Sequence, residues 1–419
     1  MYFSLKEKLL RNLYNILTYI ADFHLRIIAL FNDKIRRGVK GRKQTFEKLR
    51  STIFSTDKTL WFHCASLGEY EQGLPVFEAI KTMYPDHKIV LSFFSPSGYE
   101  AKKNTAIADL VIYLPLDSLK NAKLILDLVH PDLVVFVKYE IWPNYLLEIK
   151  IRNIKSILIS AIFRRDQAYF KIHGKWMLQA LAGFDKIFVQ NESSQQILKD
   201  NGITQVDVSG DTRFDRVYNQ LSANNTVDFI EEFKAGKLCI VAGSTWPEDE
   251  KLLANFINGS ADDLKFIIAP HNIKPAQIEH LKKALTKKVV LYTEKDNKDL
   301  AGYQVLILDT IGLLFKAFNY ASIAHIGGAV GTTGLHNTLE PAVFGIPIII
   351  GHNYEKFPEA HDMINLGGMF SISNASELHS ILNKLILDPT FRRDIGARNL
   401  DYIEKNRGAV IQILDYIRK

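Results

Sequence analysis

Several side chains stand where an apolar run breaks into a turn, and their types suit work on a hydroxyl, a phosphate and a ribose. In "LWFHCASLGEYEQGLPVFEAIK" (60–81) an apolar run ends in small residues, Gly68 and Glu69 follow, and a helical apolar rhythm begins. The expected local structure is strand, tight turn, helix. A carboxylate on such a turn either takes a proton from a substrate or is a solvated loop residue, and this stretch leaves both readings open. "VKYEIWPNYL" (137–146) puts Glu140 at another strand end, with Trp142 and Pro143 behind it. "SGDTRFDRV" (209–217) offers Arg213, a fixed cation that either stabilises developing phosphate charge or pairs with Asp211 or Asp215.

Two later segments suit a nucleotide. In "VAGSTWPEDE" (241–250), Gly243 lets a backbone approach a ligand, and Ser244 and Thr245 add hydroxyls to the free N–H groups of a helix start. That is a site for one phosphate or, equally, a plain helix N-cap. In "HIGGAVGTTGLHNTLEPAVFGIPIIIG" (325–351), Asn337 and Glu340 are three residues apart and share one side of a helix start. Asn337 can donate to a phosphate, and Glu340 can accept from a pair of ribose hydroxyls. The glycine-rich loop has neither the dinucleotide-binding spacing nor the Gly-Lys-Ser/Thr ending of a phosphate loop. There is no D-x-D triplet and no His/Asp/Glu cluster at metal-ligand spacing. No metal and no cofactor are therefore expected, and a donor with a single phosphate fits better than a diphosphate that needs a divalent ion.

The elements that must position these residues alternate. "TLWFHCAS", "KIVLSFFS", "DLVIYLP", "DLVVFVKY", "KSILIS" and "DKIFVQ" read as strands with amphipathic stretches between several of them. The rhythm lapses over 211–237, which places a boundary between residues 217 and 237, and restarts with "LCIVAGS", "LKFIIAP", "KVVLYT", "QVLILDT", "SIAHIGG" and "IPIIIG". This predicts two α/β halves with parallel sheets, and ligands at the C-terminal ends of the strands, in the cleft between the halves. Cys64 and Cys239 sit inside apolar runs and read as buried thiols, not a disulfide.

The net charge of +6 is uneven, because residues 1–50 hold 12 Lys/Arg against 4 Asp/Glu while the other 369 residues sum to −2. That excludes a general nucleic-acid surface and points to a local anionic partner. Within this arm Leu9, Leu13, Leu17, Ile20, Ile27 and Phe31 recur at roughly helical spacing, interrupted by Asp22, His24 and Arg26. The interruption makes the run too short to span a bilayer, and no cleavage site follows. An amphipathic helix on an anionic membrane, held by the basic cluster Lys34–Lys43, is one reading. An ordinary helix packed on its own domain is the other.

Together "CASLGE", "SPSGYE", "LPLD", "EIWPN", "VSGDTRFD", "AGSTWPEDE", "DTIG", "GGAVGTTGLHNTLEP" and "FGIPIIIG" resemble the 3-deoxy-D-manno-octulosonic acid (Kdo) transferases that modify lipid A precursor, in that family's order, over roughly residues 58–370. The resemblance implies an α/β GT-B fold, with two Rossmann-like domains facing across a cleft and an N-terminal amphipathic helix. The division it suggests is a basic arm over 1–50, an acceptor domain over 51–220 and a nucleotide domain over 221–419. It implies transfer of Kdo from CMP-Kdo to lipid IVA, with inversion, at the cytoplasmic face of the inner membrane. Glu69 then matches the general base, and Glu140 and Arg213 match transition-state stabilisers. CMP contacts fall on Ser244, Thr245, Pro270, His271, Ile311, Gly312, Leu313, Asn337, Thr338, Leu339 and Glu340. This chain departs from the family in carrying His271 where Arg is common, Arg213 where Lys is common, and Lys138 in place of a second acidic residue. The rival readings are another GT-B enzyme, such as a UDP-sugar transferase or hydrolysing epimerase, and a non-catalytic lipid-binding adaptor.

Overall fold

The computed structural model describes residues 5–171 and 174–419. The chain forms two compact units, one of Met1–Arg216 with Arg407–Lys419 and the other of Val217–Asn406.

The first unit holds strands β1 (Lys58–Cys64), β2 (His87–Phe93), β3 (Leu110–Tyr113), β4 (Leu133–Val137), β5 (Lys155–Ala161), β6 (Lys186–Val189) and β7 (Val206–Val208). They make one sheet in the order β3-β2-β1-β4-β5-β6-β7. Every pairing is parallel. Parallel strands covered on both faces need apolar side chains on both faces, which is why "LVVFV" runs without alternation. One layer of the core joins Trp61, Phe136 and Tyr145, and the other joins Phe62, Phe77 and Val135.

The second unit repeats the plan with β8 (Cys239–Thr245), β9 (Lys265–Pro270), β10 (Val289–Leu291), β11 (Val305–Ile307), β12 (Ile323–Ile326), β13 (Ile348–Gly351) and β14 (Met369–Ile372). The order is β10-β11-β9-β8-β12-β13-β14, again parallel. All twelve strands read from the sequence are present. The two not read, β7 and β14, are edge strands of three and four residues, too short to show a periodicity.

Two boundaries move. The described residues of the expected arm lie in α1 (Leu5–Ile28) and in α2 (Asp33–Thr52), and α2 is not an arm. Its Leu49 lies in the core of the first unit, its Thr45 hydroxyl donates to Tyr113 O at 2.8 Å, and its Arg42 donates to the carbonyls of Leu114 and Phe94 at 3.1 and 2.8 Å. The nucleotide half also ends before residue 419. The helix Ala409–Arg418 returns to the first unit, where Val410, Ile413 and Ile417 complete the layer around Phe62 and Phe77. Asp215 accepts from Gly408 N and Ala409 N at 2.9 and 3.1 Å, which caps that helix.

Among the described residues no helix is long and apolar enough to cross a membrane. The exposure of α1 is inverted relative to a packed surface helix. Leu9, Leu13, Leu17, Phe23 and Ile27 are 70, 50, 51, 62 and 43 % exposed. The side turned to the protein is polar: Tyr14 Oη donates to Asp117 Oδ2 at 2.8 Å, and Asn144 Nδ2 donates to Asn15 Oδ1 at 2.8 Å.

Candidate active site

In a doubly wound sheet the strand order reverses between the first strand and the one that starts the second half, and the crevice beyond their C-terminal ends is where ligands bind. In the first unit those strands are β1 and β4. Glu69 follows β1 and Glu140 follows β4, so topology alone brings these two carboxylates to one place.

Glu69 lies in the first turn of α3 (Leu67–Met83), whose N-cap is Ser66. Its carboxylate accepts from Ala65 N, a capping-box arrangement displaced by one residue. It is 9 % exposed. Burial, then the charge of Glu140, push its carboxyl up to about 7, against the opposing pull of the Ala65 N–H, Lys138 and the Ser66 N–H. A solvated loop residue would show none of this. Glu71 is of the other kind, committed to ion pairs with Lys102 at 3.0 Å and Arg216 at 2.5 Å.

Glu140 is 8 % exposed, and its Oε2 is held by Trp142 Nε1 at 2.6 Å and His63 Nε2 at 2.8 Å. Trp142 is thus more than packing: its indole N–H orients the carboxylate. The backbone turns sharply just before, with Lys138 at φ 68°. A side chain in the left-handed region is strained, and such residues gather at functional sites. His63 is fully buried and escaped the sequence reading, because inside "LWFHC" it resembles any core histidine.

Arg213 opens the helix Thr212–Gln220. Its Nε and Nη2 both lie 2.8 Å from Asp211 Oδ2. Of the two partners open to it in sequence, Asp211 is the one taken, while Asp215 caps the C-terminal helix. Gln72, one turn beyond Glu69, donates to Asp211 Oδ1 at 3.3 Å, and Thr212 Oγ1 bonds the Gln72 carbonyl at 2.5 Å. The start of Arg213's helix is therefore tied to the helix that carries Glu69.

In the second unit the switch-point strands are β8 and β12. Ser244 sits at φ 52° in a bulge of β8. Neither Ser244 nor Thr245 is the helix N-cap. Trp246 holds that position before the helix Pro247–Gly259, with its N–H given to Asp249 Oδ2 at 2.9 Å, and Thr245 Oγ1 donates to Glu250 at 3.1 Å. Asp249 also accepts from Gly328 N at 2.9 Å and lies 3.3 Å from His325 Nε2. It pins the glycine-rich loop to the helix start. Burial raises the Asp249 carboxyl, but His325 and these N–H groups outweigh it and the net direction is down.

Pro270 ends β9 and His271 follows it, and Ile311, Gly312 and Leu313 lie in the loop after β11, all on the strand C-terminal side. The His271 ring stacks on Trp246 with centroids 4.7 Å apart and lies 4.5 Å from the His336 ring. Burial and the neighbouring His271 push His336 down. Trp246 and His336 had no sequence signal beyond standing in the motifs. Ile311 is 88 % exposed and Gly312 has φ 95°. Asn337 Nδ2 donates to Glu340 Oε1 at 3.1 Å, as their spacing predicted. Thr338 is 1 % exposed and its hydroxyl has no hydrogen-bond partner, while Leu339 is fully buried. A buried hydroxyl left unpaired is costly unless a ligand completes it.

Two Rossmann-like α/β units in one chain define the GT-B class. Solved structures agree on the fold: UDP-GlcNAc 2-epimerase from Neisseria meningitidis bound to UDP-GlcNAc superposes with TM-score 0.61 at 16 % identity, over 86 % of this chain and 99 % of that one. A glycosyltransferase from Rickettsia africae gives TM-score 0.56 at 13 % identity over 86 and 98 %. In sequence, residues 38–216 match the family described as 3-deoxy-D-manno-octulosonic-acid transferase (kdotransferase). The 3-deoxy-D-manno-octulosonic acid transferase of Aquifex aeolicus is 29 % identical over 78 % of this chain and 86 % of its own length. That of Haemophilus influenzae is 25 % identical over 86 % of each. The chain is thus similar to Kdo transferases, by the family match over 38–216 and by these relatives over most of its length.

Proposed function

We propose that this protein moves Kdo from CMP-Kdo to lipid IVA, a phosphorylated lipid A precursor, in lipopolysaccharide biosynthesis, with inversion at the anomeric carbon. The observation that carries the reading is the pair Glu69 and Glu140 at the switch point of the first unit, in a chain similar to known Kdo transferases. A base is most effective when its pKa lies near the working pH, and Glu69 is held at about 7.

The reaction is a single displacement. A glucosamine hydroxyl oxygen forms the new bond to the Kdo anomeric carbon. The bond from that carbon to the phosphate oxygen breaks, and CMP leaves with its electron pair. Glu69 takes the hydroxyl proton, a contribution of about 10²–10⁴-fold. Charge builds up on an oxocarbenium-like centre and on the phosphate. Glu140 serves the first and Arg213 the second.

The donor rests on the second unit. Ser244 and Asn337 face the phosphate, with Thr245 supporting from beneath and His271 in the place of the family's common Arg. Glu340 takes the ribose hydroxyls. Pro270, the loop Ile311–Leu313 and Leu339 shape the nucleoside seat, and Thr338 supplies its unpaired hydroxyl. On the acceptor side a cavity of about 350 Å³ lies against α1 and α2, with Arg26, Arg42, Lys43 and Lys120 among its walls. Its charge suits a lipid-borne phosphate. The outward apolar face of α1 suits peripheral attachment to the anionic cytoplasmic face of the inner membrane.

The test is incubation with CMP-Kdo and tetra-acylated lipid A precursor. We expect lipid products heavier by one or more Kdo units and stoichiometric CMP. No transfer by folded protein, or turnover of a UDP-sugar instead, overturns the reading. Thermal shift with CMP against UDP separates the transferase from a UDP-sugar enzyme, because only a ligand of the native state raises apparent stability.

A further inference from the structure

His63 and Glu140 form a buried pair for which the reaction above gives the histidine no task. His63 is fully buried on β1, between Ser92 of β2 and Glu140 beyond β4. Its Nδ1 lies 2.9 Å from Ser92 Oγ and 3.1 Å from Ser92 O, and its Nε2 lies 2.8 Å from Glu140 Oε2. Ser92 Oγ accepts from Trp61 Nε1 at 2.8 Å and lies 3.3 Å from Phe62 O. The Trp142 indole N–H lies 2.6 Å from Glu140 Oε2 and 3.2 Å from His63 Nε2.

These contacts admit two proton inventories. In one, the Ser92 hydroxyl donates to Nδ1 and Nε2–H donates to the Glu140 carboxylate, so the pair carries one negative charge. In the other, the hydroxyl turns to Phe62 O and Nδ1–H donates to Ser92. A second proton then lies between Nε2 and Oε2, and the pair is neutral. The two differ by one proton and one hydroxyl rotation, and each leaves Trp61 Nε1, Ser92 Oγ, both His63 ring nitrogens, Glu140 Oε2 and Trp142 Nε1 partnered. A site that can gain a proton without orphaning a donor or acceptor avoids the usual cost of charging a buried group.

We propose that His63 is a positioning residue that stores a proton behind Glu140 and thereby sets the charge that Glu69 experiences. The proposal rests on the reading of Glu69 as the base. Of the other charged groups nearby, Lys138 acts on Glu69, and Glu71 on α3 acts on Cys64 and is already paired with Lys102 and Arg216. Cys64, next along β1, is kept as a thiol by its burial. With the proton in store, Glu140 repels Glu69 less and Glu69 stays ionised at lower pH. Without His63 the store is gone, and Glu69 protonates at higher pH.

The experiment is the pH profile of transfer for His63→Gln beside the unaltered enzyme. We expect the acid limb to move up by about 1 pH unit, the low end of what a nearby charge exerts on a carboxyl. A folded His63→Gln that loses rate uniformly, with the limb in place, overturns the proposal and leaves His63 a purely structural residue. A second measurement does not depend on the variant folding. Nitrogen-15 shifts of the His63 ring, followed from pH 5 to 9 in the full chain, should show the ring environment changing with uptake of one proton. A ring fixed in one neutral form with Nε2–H throughout overturns the proposal. Glu69→Gln keeps the two ideas apart: if it still transfers Kdo, the base assignment fails, and if it does not while the His63→Gln limb stays put, only the proposal about His63 fails.

Discussion

Glu69 is held in a state the fold itself disfavours when ionised. Its folded value of about 7 lies above the ordinary 4.5, so the folded protein prefers the protonated form. The contribution is fully present below about pH 4.5 and is lost as pH rises through 7. Glu69→Gln removes the charge while keeping an acceptor for Ala65 N. At pH 8 it should therefore stabilise the first unit, by up to about 3 kcal/mol, in thermal or urea unfolding, and the gain should vanish below pH 4.5. A variant that is inactive yet more stable marks a residue kept for chemistry. Equal stability of the two proteins at pH 8 would mean that the carboxylate is hydrated and not under strain.

Among the elements, α1 is the informative one, because its polar side is the one tied down. Tyr14 reaches Asp117, which also accepts from Asn144 N and Tyr145 N at 3.0 and 2.9 Å and so caps the helix Pro143–Ile151 just behind Glu140. The "LPLD" segment, silent as chemistry, thus joins α1 to the loop that carries Glu140. The outward residues touch little of the protein. Leu13→Glu, Leu17→Glu and Phe23→Glu combined should leave the unfolding temperature within a degree or two but lower binding to anionic phospholipid vesicles by at least about tenfold in co-sedimentation. Unchanged vesicle binding would leave this face without a membrane role.

Over the whole molecule, the chain leaves the first unit within the helix Thr212–Gln220 and comes back at Arg407. The returning helix is integral to the first unit's core, and Ile413 is fully buried there. Ile413→Ala should cost that unit about 2–4 kcal/mol, as large-to-small changes in packed cores do. In calorimetry the first unit's transition should fall while that of the second unit, to be identified by the stabilisation that the proposed CMP binding confers, stays in place. A fall confined to the CMP-sensitive transition would assign the helix to the other unit.

The sequence by itself determined the repeating strand pattern, the two-unit plan and the strand ends near which Glu69, Glu140, Ser244 and Asn337 stand. Those features are local: apolar runs of buried parallel strands, and turn residues that end them, are written over a few consecutive positions. The pairing of Asn337 with Glu340 was legible for the same reason, since helix geometry fixes an i, i+3 contact. Only tertiary structure decided that Glu140 lies close enough to Glu69 to raise the cost of ionising it, that Arg213 takes Asp211, and that His63 stands behind Glu140. It also decided that α2 and the last helix belong to the first unit, and that the apolar side of α1 faces outward. Each of these depends on residues far apart in the chain meeting through sheet order and crossover connections, and a single sequence carries no period or spacing that encodes such a meeting.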